Sequence, residues 1–227
     1  MPTLIDLHSH SKVLSTDSNM DPDDLVARAK AAGLDGICIT EHGNKRFPLA
    51  AVLTERHGIL VIGAFEASTE LGDILCFGLE GYPRMISRAV ELRAYVQESD
   101  AVMVAAHPFR YDLSPKPWLK RASELTVEQG AGRKILSLVD AMETVNGWAV
   151  QADVDFCLAV SAHLGLPGTG GSDAHDLDDV GICYTEFDDL VRSEAELLAA
   201  LRSGRYRAVD RRIPEKKSPV HLTAPMA

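Results

Sequence analysis

Short apolar runs alternate with stretches of helical periodicity along most of this chain. Thr3 to Leu7 is the first apolar run. Asp21-Pro22-Asp23-Asp24 then opens a helix, with an Asp cap, Pro in the first turn and acids where the helix dipole favours them. Leu25, Val26, Ala29 and Ala32 line one face of it, and Gly33 stops it. Gly36 to Thr40 is the next strand, followed by a short helix around Leu49 to Arg56. Ile59 to Phe65 and Asp73 to Leu79 read as strands and as a neighbouring pair, Ile86 to Gln97 as a helix, and Ala101 to Ala106 as a buried strand. Leu113 to Gly132 has no clean period, and its length suits a lid or insertion over a cleft. Asp140 to Val145 is a strand and Val150 to Leu164 a helix. Gly168 to Ser172 and Gly181 to Phe187 are the last strands, and Glu194 to Arg202 is a closing helix.

This alternation predicts an α/β fold with a largely parallel sheet. No internal repeat and no domain linker interrupts it. At 227 residues the chain suits one barrel-sized unit over residues 1–210. Residues 211–227 mix charge and proline without periodicity and read as a surface arm or tail.

Composition narrows the functional classes. The 46% hydrophobic and 25% charged shares exclude global disorder. A net charge of −10 repels a phosphate backbone, so nucleic acid is not expected as a bulk partner. Metal cations in a site would still hold a small anion. No apolar run approaches the roughly 18 residues of a membrane span, and nothing near the N-terminus resembles a signal peptide. Cys38, Cys76, Cys157 and Cys183 lie in separate apolar segments without CxxC spacing and read as buried free thiols. A cytoplasmic protein is expected.

The candidate chemistry sits where the strands end. In Asp6-Leu7-His8-Ser9-His10, side chains two apart share a face of an extended chain, so His8 and His10 can reach one ion. Later strands end in Glu41-His42, Glu66 and His107-Pro108; Glu143 lies in the Asp140–Val145 strand; Asp173 follows Gly168–Ser172, with His175 two places on. Five of the eight histidines fall at strand ends, whereas His57, His163 and His221 fall in helices or the tail. In parallel α/β architectures the carboxyl ends of strands face one mouth, so ligands placed there converge.

The ordered set HSHS at residues 8–11, Asp17, TEHGN at 40–44, GAFEAS at 63–68, AHP at 106–108 and GSDAH at 171–175 resembles the PHP (polymerase and histidinol phosphatase) family over about residues 4 to 187. The resemblance implies a distorted (β/α)7 barrel, TIM-like and single-domain, with two or three divalent metal ions, Zn, Mn or Fe. It implies that His8, His10, Glu66 and Asp173 hold one ion. Glu66 would bridge to a second ion held by His107 and a residue of the fifth barrel strand, and Asp17, His42 and His175 would hold the third. Family members often carry His or Cys at that fifth-strand position. This chain offers Glu143, with Asn146 nearby, a change that favours Mn- or Mg-like chemistry over thiolate-loving metals.

Phosphoesterase activity is the first expectation: clustered cations activate water and neutralise a leaving oxygen. Hydrolysis of a phosphomonoester, or a diester, of a small metabolite or nucleotide follows, with Arg110, Asp173 and His175 as the catalytic candidates. Lys12, Lys45 and Arg46 lie beside ligand loops and read as solvated cations rather than phosphate donors. Asp6 and Glu41 are candidates for fixing histidine tautomers, or for plain capping roles. Two alternatives stay open. One is a metal-dependent amidohydrolase acting on a C–N bond; the other is a non-catalytic, metal-stabilised module. Substrate identity and oligomeric state are not encoded in any motif.

Overall fold

The computed structural model describes residues 2–110 and 125–212. Nine strands and six helices order the described chain: β1 (Thr3–Asp6), α1 (Pro22–Ala31), β2 (Gly36–His42), α2 (Ala50–His57), β3 (Leu60–Thr69), β4 (Gly72–Phe77), α3 (Ala89–Gln97), β5 (Val102–Ala105), α4 (Val127–Ala131), β6 (Ala141–Asn146), α5 (Gln151–Leu164), β7 (Gly168–Gly171), β8 (Cys183–Phe187), α6 (Glu194–Ser203) and β9 (Tyr206–Asp210). The first helix forms for the reasons its sequence gives. Asp21 caps it by accepting from the Asp23 N–H, and Pro22, Leu25, Val26 and Ala29 are its buried face.

The strands make one sheet in the order β7-β6-β5-β4-β3-β2-β1-β8-β9, which curls into a nearly closed, TIM-like barrel. Parallel pairing is less complete than the alternation predicts. β1–β2, β2–β3, β5–β6 and β6–β7 are parallel, but β3–β4, β4–β5, β1–β8 and β8–β9 are antiparallel. No helix separates β3 from β4. A tight turn ending in Gly72, at a φ of 123° that favours glycine, sends the chain straight back. β9 has no counterpart in the sequence reading, because four half-buried residues and one exposed one at a sheet edge carry little hydrophobic alternation.

β7 and β8 meet across the seam without a backbone ladder. The Thr185 hydroxyl closes the gap, accepting from the Gly170 N–H and donating to the Gly170 carbonyl, both at 2.9 Å. Any Cβ at Gly170 would lie 2.4 Å from the Tyr184 carbonyl oxygen, so only glycine permits this approach.

Core packing separates the two faces of the sheet. Ile37 and Ile39 pack with α1 and α2, and Met103, Cys76 and Met142 pack with α3 and α5. The alternate set, Cys38, Ile62, Ala64, Val104 and Ala141, forms the barrel interior with Leu197, Leu198 and Leu201 of α6. The inner face of β3 continues from Ile62 and Ala64 to Glu66, that of β2 from Cys38 to His42, and that of β6 from Ala141 to Glu143. The same period that builds the core thus delivers the polar residues to one end of the barrel. The four cysteines are free and buried. Among the described residues no helix is long and apolar enough to cross a membrane.

The 113–132 segment expected as a lid lies largely outside the described residues; its end forms α4, capped by Thr126 with a reciprocal bond from Gln129. Residues 213–227 of the expected tail also lie outside them.

Candidate metal centre

β1 runs directly into His8-Ser9-His10. Ser9 turns away and donates its hydroxyl to the Cys38 carbonyl at 2.8 Å, so His8 and His10 project together, their Nε2 atoms 3.0 Å apart. Asp6 fixes this turn through the main chain. It accepts from the N–H groups of Ser172 at 2.9 Å and of His8 and Gly181 at 3.2 Å each. Burial pushes its carboxyl up to about 6 despite these bonds. Asp6 therefore touches backbone and the Ser172 side chain, not an imidazole.

The side chains expected at the strand ends do converge. Ligand atoms lie within 4.8 Å of one another in four groups: His10, His42 and His175; His8, His10 and Glu66; His8, His107 and Asp173; and Glu66, Asp73 and His107. Glu66 sits at the hub, 3.0 Å from His107 Nε2 and His42 Nδ1 and 3.5 Å from the Nε2 atoms of His8 and His10. Asp17, at the exposed rim, lies 3.0 Å from His42 Nε2 and 3.4 Å from His175 Nε2. The rings of His42 and His175 stack on His10, with centroids 4.2 and 4.5 Å away.

Each buried ring nitrogen that faces away from the cluster has a partner that fixes its tautomer. His8 Nδ1 meets Glu143 Oε1 at 3.2 Å, His10 Nδ1 meets the Ser15 hydroxyl at 3.3 Å, and His175 Nδ1 meets the Asp173 carbonyl at 2.9 Å. Ser15 in turn donates to Glu41 through a short bond, so Glu41 acts on His10 at one remove.

The electrostatics are those of a site built for cations. Burial pushes the Asp173 carboxyl up, but Arg110, His8, His10 and His107 reverse this and hold it well below its usual range. Burial likewise opposes ionisation of Glu66, and the surrounding imidazoles, His8 foremost, hold it well below. Burial lowers His8, yet Asp173, Glu143 and Glu66 outweigh it and keep the imidazole protonated well above its usual value. Burial and the neighbouring His8 pull His10 down to about 4, leaving it neutral. Protons and divalent cations compete for the same lone pairs in such an array.

Comparison with known proteins decides the lineage. A PHP domain model matches residues 6–133, more than half of the chain, and a PHP-associated model matches residues 157–206. The chain belongs to the PHP family. It is accordingly a metal-dependent hydrolase. No curated protein matches it. Among solved structures it is similar to PsfC from Pseudomonas syringae, at 19% identity and a TM-score of 0.66, over 97% of this chain and 96% of that one. A two-domain Bacteroides vulgatus protein containing a predicted PHP-like metal-dependent phosphoesterase is 21% identical, with a TM-score of 0.66. That match covers 92% of this chain and 65% of the other, just under two thirds of its length. An amidohydrolase from Chromobacterium violaceum with bound sulfate and no metal is 18% identical, with a TM-score of 0.61 over 93% of this chain and 99% of that one.

The donor set fits what a PHP protein needs: neutral-capable imidazoles with one nitrogen free, mixed with ionised carboxylates, suit divalent transition metals. Two of the residues involved are held in strained backbone. His107 and Asp173 are the non-glycine residues with positive φ among those described, at 29° and 52°. Asp173 N–H donates to the His8 carbonyl at 2.7 Å and His107 N–H to Glu143 Oε2 at 2.9 Å, bonds that hold these unusual conformations. Gly171 is equally constrained, since a Cβ there would meet His8 Cβ at 2.5 Å and Glu143 Oε1 at 2.7 Å.

The sequence reading missed three contributors. Asp73 joins a ligand group, Ser15 links Glu41 to His10, and Trp148 donates its indole N–H to the Asp173 carbonyl at 2.9 Å while standing edge-on to His175. None sits in a motif, although Trp148 lies two residues beyond the end of β6. Arg110 donates to Asn146 Oδ1 at 2.8 Å and to Asp173 Oδ2 through a shorter bond. It lines a cavity of about 310 Å³ with Asp73, His107, Arg133, Leu71 and Ile135. Lys12 pairs with Asp21 at 2.7 Å, and Arg46 with Glu80 and Glu194; Lys45 joins Gly81 through its backbone.

Proposed function

We propose that this PHP protein is a phosphoesterase that hydrolyses a phosphomonoester of a small metabolite or nucleotide, with a diester open to the same chemistry. The observation that carries the reading is the placement of Arg110 at the mouth of the cluster, against Asp173 and beside the cavity. A guanidinium there matches a phosphate dianion better than a neutral amide. The C–N-cleaving alternative therefore stands behind it, although one structural neighbour is described as an amidohydrolase. That neighbour holds sulfate, a tetrahedral dianion of phosphate's shape.

Divalent cations held in this cluster would neutralise the phosphoryl oxygens and make a water molecule acidic enough to attack phosphorus. The remaining work falls to the chain. His8 and His10 offer Nε2 because Glu143 and Ser15 occupy Nδ1. Glu66, facing four imidazoles, would hold metal at the centre of the cluster. Asp17, His42 and His175 form the outer ligand set. Asp173 adds a ligand oxygen while its other oxygen keeps Arg110 aimed at the mouth. Arg110 then donates to a non-bridging oxygen of the substrate. Glu143 orients His8 and supports it rather than serving as a ligand.

Mn, Zn and Fe all suit the donor set, and two or three ions fill it. The net charge of −10 disfavours bulk nucleic acid as substrate. Buried free thiols fit a cytoplasmic setting.

The test is turnover of p-nitrophenyl phosphate and a panel of mononucleotides and phosphorylated metabolites, with Mn, Zn and Fe supplied separately. Inorganic phosphate should inhibit competitively. Arg110→Ala should cost roughly ten- to a hundredfold in kcat/KM, as expected for one lost charge-assisted contact. Fully metallated protein that neither binds phosphate nor cleaves any phosphoester in the panel would overturn the proposal.

A further inference from the structure

Glu143 is fully engaged. Its Oε1 accepts from His8 Nδ1, and its Oε2 accepts from the His107 N–H and the Asn146 amide, both at 2.9 Å. It is 1% exposed and belongs to none of the ligand groups among the described residues. The position shared by Glu66 and His107 thus lacks the β6 side chain that the family resemblance assigns to it.

Asp73 stands where that ligand is needed. It is the second residue of β4, directly opposite Ser68, which lies two residues beyond Glu66 in the antiparallel register with β3. One carboxylate oxygen lies within 4.8 Å of ligand atoms of both Glu66 and His107. The Ser68 hydroxyl donates to Asp73 Oδ1 at 2.8 Å, which orients the carboxylate and leaves Oδ2 free of that bond. The Asp73 carbonyl accepts from the Ala106 N–H at 3.0 Å, tying its backbone to the turn that carries His107. Hairpin register therefore sets the Asp73–Glu66 spacing, and the β4–β5 connection sets the spacing to His107.

We infer that Asp73 is a metal ligand, supplying to the ion held by Glu66 and His107 the donor that the β6 position does not provide. This rests on the metal-centre reading above. It makes that ion's environment richer in oxygen than a His- or Cys-ligated one, which favours Mn over Zn at this position. It also places the ion at the wall of the cavity lined by Arg110 and Arg133.

The test uses the full-length protein, stripped with chelator and reloaded with Mn²⁺ or Co²⁺, read by elemental analysis, metal titration and the visible spectrum of the Co²⁺ form. Asp73→Asn should lose one equivalent, or bind its weakest equivalent at least about tenfold less tightly, with a changed Co²⁺ band. Ser68→Ala should weaken the same equivalent by less. Wild-type stoichiometry and affinity in Asp73→Asn, alongside metal loss in Glu66→Gln, would overturn the assignment while leaving the metal centre intact. If Asp73→Asn does not fold, unchanged affinity in Ser68→Ala overturns it instead. Wild-type protein that takes up no metal would remove the metal-centre reading and this inference together.

Discussion

Asp6 illustrates how much one buried side chain can arrange without touching the chemistry. Its three backbone bonds tie the end of β1 to Ser172 and Gly181, which sets the strand carrying His8 beside the loop carrying Asp173. Asparagine has one acceptor oxygen, so Asp6→Asn would oppose its amide to at least one of those N–H groups. A cost of about 1–3 kcal/mol in denaturant stability is expected. The pH dependence gives a second readout. The folded-state value is raised by burial from 3.8 to about 6, so the folded protein binds this proton more readily than the unfolded chain. Its contribution is complete below 3.8 and is lost as pH rises through about 6. The stability advantage of wild type over Asp6→Asn should therefore narrow across that window. A constant or widening gap in denaturation curves would contradict the assignment.

The strands act as rulers. Inner-face alternation on β2 and β3 carries a core pattern on into His42 and Glu66, and the parallel register brings these two side by side. The weak point of this scaffold is the seam, where Thr185 replaces a ladder between β7 and β8. Thr185→Val keeps the shape of the side chain and leaves the buried Gly170 N–H without that acceptor. A loss of about 1–3 kcal/mol is expected, with secondary structure retained, and thermal unfolding followed by circular dichroism measures it. An unchanged midpoint would mean that the barrel does not rely on this closure. Gly170 and Gly171, adjacent on β7, serve different ends: one admits the neighbouring strand, the other admits His8 and Glu143.

At the scale of the whole molecule, the proposed metal centre and the fold would depend on each other. Buried His8, His10, Glu66 and Asp173 form a dense array of ionisable groups that a hydrophobic core would not tolerate uncompensated. Purified protein supplied with metal should carry at least two equivalents, because this donor set exceeds what one four- to six-coordinate ion needs. Removing metal with chelator should lower the thermal midpoint, since binding to the folded state alone stabilises it by mass action. One equivalent or none, or a midpoint indifferent to chelation, would contradict this.

The sequence by itself determined the types and most of the positions of the side chains that converge at the barrel mouth. Strand-end His8, His10, His42, Glu66, His107, Asp173 and His175 are legible because local periodicity places them on one face, and motif order carries the family. Strand number and direction were less legible, since β4 turning back on β3 and the late edge strand β9 depend on pairing across the sheet. Only the tertiary structure decided how Glu143 and Asp73 differ. Both are carboxylates on strands of the same barrel, and no local pattern separates them. Glu143 ends against His8 Nδ1 and the His107 backbone, whereas Asp73 ends beside Glu66 and His107. That difference arises from sheet register and barrel curvature, which bring together residues as distant as His8 and Glu143, 135 positions apart. These are long-range quantities that a single chain's period does not contain.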